Sequence, residues 1–149
     1  MTRFLPPDQP IEVGQTFRLP QTLTGFADVK GADDPKAAEE RWAIVVAARP
    51  SEISAWVLPR SASVRTEVPV PATAAAGFTS DGWVWFKPRQ VVFKTLRAYE
   101  YGGPLEASSL ASVRAFYEAN VARQSEERRA RRAARPDRGR RGRGGGARP

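Results

Sequence analysis

Proline and glycine cut the first hundred residues of this chain into pieces that suit strands better than long helices. With 10 Pro and 5 Gly in those residues, turn signals recur about every ten residues, the spacing of a small β-barrel or sandwich. The segments between them are 15–19, 42–48, 53–58, 64–70, 82–86 and 90–95, each read as a strand. Trp42–Ala48 is an unbroken apolar run, which predicts burial on both faces. In the fourth segment Val64, Val68 and Val70 share a face, and Pro69 places it near a sheet edge. Residues 20–40 read as a long loop punctuated by Gly25, Gly31 and Pro35, with Asp34 and Pro35 suited to cap and start one helical turn. Residues 1–10 are Pro-rich and read as an extended N-terminal arm.

Gly102-Gly103-Pro104 breaks the β pattern. Beyond it Leu110, Val113, Phe116, Tyr117 and Val121 recur at helical spacing and define one apolar face. The helix continues in polar form into residues 125–133 and must fray at Arg135-Pro136, because a residue before proline avoids the α region. Residues 123–149 hold 11 Arg and 3 acidic residues, so the whole formal charge of +8 sits there and residues 1–122 are neutral. A segment so charged and so poor in apolar residues cannot bury enough surface to fold. The expected organisation is therefore an arm (1–10), a mainly β barrel domain with a C-terminal helix (11–122), and an Arg/Gly-rich disordered tail (123–149).

Composition removes several chemistries. There is no Cys and no His, hence no disulfide, no thiolate or imidazole metal site, no imidazole base and no Ser-His-Asp triad. No acidic cluster of calcium-loop type is present, and neither a metal nor a cofactor is expected. No apolar run is long enough to span a membrane, and the N-terminus lacks the apolar region of a signal peptide. A cytoplasmic setting fits.

The tail is the clearest functional signal. Arginine clusters bind nucleic-acid phosphates by releasing counterions, without reading sequence, and arginine also stacks on unpaired bases. Arg128, Arg129, Arg131, Arg132, Arg140 and Arg141 are the expected contacts to RNA. Trp42, Trp56, Trp83 and Trp85 fall in strands and read mainly as core. Trp83 and Trp85 share one face and Val84 and Phe86 the other, so one of the two tryptophans is a candidate stacking platform. Arg41, Arg60, Ser61, Ser63, Lys87, Arg89 and Gln90 all lie at strand ends, where together they suit a cationic groove on one rim.

The order of these blocks resembles the MazF/PemK family of toxin endoribonucleases, whose fold is an SH3-like barrel. The resemblance rests on Gly14-Gln15-Thr16-Phe17 opening the first strand, Arg41 before Trp42-Ala43-Ile44-Val45-Val46, and Pro59-Arg60-Ser61-Ala62-Ser63 ending the next strand. It continues through Gly82-Trp83-Val84, Gln90-Val91 and Gly103-Pro104-Leu105, and covers about residues 11–121. It departs from the family at Trp42, where a proline is usual, at Ser61, where a threonine is usual, and in the added Arg60 and tail. The resemblance implies metal-independent cleavage of single-stranded RNA by attack of the 2′-hydroxyl on the adjacent phosphate. Arg41 would then be the main catalytic residue and Ser61 would take the threonine position. Arg60, Ser63, Lys87, Arg89 and Gln90 would hold the RNA. It further implies a homodimer neutralised by an acidic antitoxin. Two alternatives stand beside it: a catalytically inactive RNA-binding relative, and a barrel that binds protein.

Overall fold

The structure is a computed structural model that describes residues 2–25, 33, 35, 39–63 and 65–135. Among them seven strands are found: β1 (Gln15–Pro20), β2 (Glu40–Ala48), β3 (Ser54–Ser61), β4 (Pro69–Val70), β5 (Gly82–Val84), β6 (Arg89–Val92) and β7 (Glu100–Pro104). They pair antiparallel in the order β4-β5-β3-β2-β1-β7, and β6 also pairs with β3. Three α-helices accompany them: α1 (Gln21–Thr24), α2 (Phe93–Arg97) and α3 (Ala107–Ala134). The fold is thus mixed α/β rather than mainly β: a curled antiparallel half-barrel sheet plus a long C-terminal helix. Two compact units divide the chain, Met1–Tyr117 and Glu118–Pro149.

In the first unit, β2 is the spine because apolar groups cover both of its faces. Ala43 and Val45 join Phe17, Leu19, Ala55, Val57, Val91 and Leu96 in one core cluster. The alternate residues Ile44 and Val46 join Leu58, Val70, Val84 and Val113 in a second. Successive strand residues point to opposite faces, so the unbroken run read from the sequence is what a strand between two cores requires. Leu110, Phe116 and Tyr117, in the first turns of α3, pack on the second cluster, as their spacing predicts. Val121, expected on the same face, is exposed.

Several boundaries differ from the expectation. Proline does not end β3 at Leu58: Pro59 stays in register opposite Ala43, and its carbonyl accepts the Trp85 N–H at 3.0 Å. The fourth strand shrinks to two residues, with Val64 outside the described residues. The expected strand 90–95 stops at Val92 and turns into α2. Helical spacing there puts Phe93 and Leu96 on the same core, which alternation would have set on opposite faces. The start of the 20–40 loop is the short helix α1, whereas Asp34 and most of the loop lie outside the described residues.

Two further corrections concern the ends. Gly102-Gly103 does not break the β pattern but lies inside β7, paired to β1. Here glycine is needed for close approach. A Cβ on Gly102 or Gly103 would run into the Ala76 or Ala75 carbonyl, and Gly103 has φ +117°, a region other residues avoid. The N-terminal arm is anchored: Leu5 is in the core. The Arg3 carbonyl accepts the Tyr101 N–H at 2.7 Å, and the Arg3 guanidinium donates to the Gly102 carbonyl at 2.8 Å.

Candidate active site

The register of β2 on β3 brings Arg41 and Ser61 together. Ala43 faces Pro59 and Ile44 faces Leu58, so two residues further on Arg41 stands opposite Ser61 and shares its face. The Arg41 Nη1 donates to the Ser61 Oγ at 3.4 Å. Ser61 is buried, and its Oγ accepts the Ser63 N–H at 3.2 Å with the Ser63 hydroxyl at the same distance. That local bond is the kind short hydroxyl side chains make where a strand ends in a turn. Arg41 is half-buried at the second position of β2, at the strand mouth rather than within the core.

Arg41 also borders a recess of about 150 Å³, whose other walls are Glu40, Trp42, Arg60, Ala62, Thr79 and Ser80 and do not include Ser61. Glu40 carries a carboxylate here, and Arg18 bridges it at 3.2 Å. Arg60, expected to hold a flanking phosphate, is only 5% exposed. Its Nη2 donates to the Val70 carbonyl at 2.8 Å and to the Ser80 carbonyl. Its guanidinium carbon lies 3.9 Å from the centre of the Phe78 ring. Burial lowers its pKa from the usual guanidinium value, and the carboxylate of Asp81 partly offsets this. The correction has a simple cause. Arg60 has the parity of Leu58, so it faces the second core, where it ties β3 to β4 and to the turn before β5.

The remaining rim residues divide. Lys87 and Arg89 converge on Gly25, just past α1: the Lys87 Nζ donates to the Gly25 carbonyl at 3.2 Å, and the Arg89 guanidinium lies against the Gly25 Cα. Gln90 donates to the Ser54 hydroxyl at 2.6 Å. Arg89 stands opposite Val57 on β3, four residues before Ser61, a separation of about 13 Å along an extended strand. One exposed basic patch therefore flanks the Arg41–Ser61 pair, in place of a single continuous cluster.

The tryptophans are less buried than their expected core role requires. Trp42, Trp83 and Trp85 are half-buried and Trp56 is 36% exposed. Trp83 carries the Arg65 guanidinium 5.4 Å from its ring centre. Arg128, Arg129, Arg131 and Arg132 are exposed on α3, which runs to Ala134, so the helix continues through residues 125–133 and stops before Arg135-Pro136 as the sequence leads one to expect. Arg140 and Arg141 lie outside the described residues. Sequence reasoning missed Glu40, Thr79 and Ser80. Glu40 was within reach as the neighbour of Arg41, but nothing in the sequence marks Thr79 or Ser80 as part of the same wall.

A half-buried guanidinium bonded to a hydroxyl, at the edge of a small polar recess, can do one thing well. It can present several N–H donors in a fixed fork to an oxygen that gathers negative charge. Among the described residues no helix is long and apolar enough to cross a membrane. No family model matches the chain, and no curated protein is matched by it.

Proposed function

We propose that this chain is a metal-independent endoribonuclease of the MazF/PemK toxin type, that its curled sheet is an SH3-like barrel, and that it cleaves single-stranded RNA. The observation that carries the reading is the Arg41–Ser61 pair: the two residues the resemblance singles out lie on different strands, 20 positions apart, and share a hydrogen bond.

In this reading the 2′-oxygen of a nucleotide attacks the adjacent phosphorus and gives up its proton to solvent. The P–O5′ bond breaks, and the leaving 5′-oxygen takes up a proton. A guanidinium is essentially never deprotonated, so Arg41 is no general base. It stabilises the charge that builds on the phosphate oxygens, the kind of electrostatic contribution that is usually the largest in such a reaction. Ser61 holds the Arg41 fork in place and offers its hydroxyl to the same phosphate. Lys87 and Arg89, exposed beside Gly25, hold phosphates further along the strand. The same reading assigns a homodimer and an acidic antitoxin as partners and a cytoplasmic location.

The test is direct. Full-length protein incubated with single-stranded RNA of mixed sequence in EDTA should yield fragments ending in 2′,3′-cyclic phosphate and 5′-hydroxyl. RNA left intact by folded protein would refute the reading.

A further inference from the structure

The second unit raises a separate question, because the basic segment that composition assigned to a loose tail is helix up to Ala134. At about 100° per residue, Arg131, Arg128, Arg132 and Arg129 fall in that order across one face about 160° wide. Glu126, Glu127, Ala130 and Ala133 fall on the other side, as does Arg123, which bonds to Asn120. All four arginines are exposed, and among the described residues none of them is in an ion pair. The helix also needs no partner to form. Residues 118–134 extend a helix whose first turns pack on the core, so its costly nucleation is already met.

We propose that this arginine face is a docking surface for double-stranded DNA, seated in the major groove. The argument is shape together with charge. A flexible arginine tail follows any single strand, whereas a preformed α-helix about 10–12 Å across matches the B-form major groove, about 12 Å wide. The major groove of an RNA duplex is too deep and narrow to receive it. A face about 160° wide reaches the phosphates on both walls of such a groove, and the alanines and carboxylates of the opposite side stay in solvent. The interaction is with phosphate, so binding is tight at low salt and largely independent of sequence. This inference goes beyond the ribonuclease reading and does not depend on it.

The test uses full-length protein and two charge-neutral isomers. One exchanges Arg128→Ala with Ala130→Arg, which spreads the four arginines around the whole helix with composition and net charge unchanged. The other, Glu126→Arg with Arg129→Glu, sets a carboxylate into the basic face. Binding to a 20-base-pair DNA duplex, an RNA duplex and a DNA single strand is measured by fluorescence anisotropy over a salt series, with helix content followed by circular dichroism. Wild type should prefer the DNA duplex over the other two. Each isomer should bind it about tenfold or more weakly, and its salt slope should fall by roughly one for every phosphate that is no longer neutralised. If an isomer of wild-type helix content binds the DNA duplex as wild type does, total charge and not the helical face is responsible, and the proposal fails. Should one isomer lose helix, the other decides. Equal or tighter binding of the single strand or of the RNA duplex by wild type overturns it as well.

Discussion

At Arg60 the guanidinium is out of water, stacked on Phe78 and bonded to the carbonyls of Val70 and Ser80. At Arg41, on the neighbouring strand, it stands at the strand mouth against a hydroxyl. The two side chains therefore predict opposite phenotypes. Arg60→Met removes charge-assisted bonds and leaves two carbonyls without their donor, a loss of about 2–4 kcal/mol, so thermal unfolding should move down by several degrees. An unchanged Tm would contradict the anchoring role. Arg41→Ala should leave Tm nearly unchanged and abolish RNA cleavage; a variant that cuts as well as wild type would remove Arg41 from the mechanism. Ser61→Ala should retain measurable cleavage, since one hydrogen bond to a charged group contributes only about 1.5–3 kcal/mol. Kinetic comparison of the two variants reads this ordering. The sequence singled out Arg41 and Ser61 because both sit at strand ends, which the strands of the structure bear out. It could not separate Arg60 from them. That distinction depends on strand parity, which requires knowing that β3 continues through Pro59, and on Phe78 lying beneath, which only the fold reveals.

Among the elements, those with a strong local pattern were readable and those set by tertiary packing were not. The unbroken run in β2 and the helical spacing of Leu110, Val113, Phe116 and Tyr117 each reflect burial that repeats along the chain. β7 shows the reverse case. Its Gly102-Gly103 pair has the composition of a turn, yet it forms a strand because the backbone of residues 75–76 passes too close for any side chain. Local propensity yielded to packing. The expected consequence is that Gly103→Ala lowers stability by more than about 1 kcal/mol, from its positive φ together with the displaced Ala75 carbonyl. Denaturant unfolding measures it, and a midpoint equal to wild type would show that β7 tolerates a side chain there. α2 is a similar case. The β-like run 90–95 stays strand only to Val92 and changes to helix at Phe93, so that Phe93 and Leu96 both reach the core, a choice that alternation alone cannot foresee.

At the scale of the whole molecule, the separation of a neutral first part from a basic last part was visible in the charge distribution alone. That the helix runs on into the basic segment was legible from its polar continuation and from Pro136, not from the charge count, and it is helped by nucleation from packed turns further upstream. The compact unit that ends at Tyr117 contains both core clusters, so a chain ending at residue 122 should stay folded, with a cooperative thermal transition within a few degrees of the full-length protein. Loss of that transition would place the later residues inside the folding unit. The account's central claim, a 2′-hydroxyl-dependent cleavage directed by Arg41, meets its most direct test in one matched measurement. A single-stranded RNA oligonucleotide and its all-deoxy counterpart are incubated in EDTA with the wild-type protein and with Arg41→Ala. The account predicts cleavage of the RNA by the wild type alone and of the DNA by neither, because only RNA carries the attacking group. Cleavage of the deoxy strand, or equal cleavage of RNA by both proteins, would contradict it.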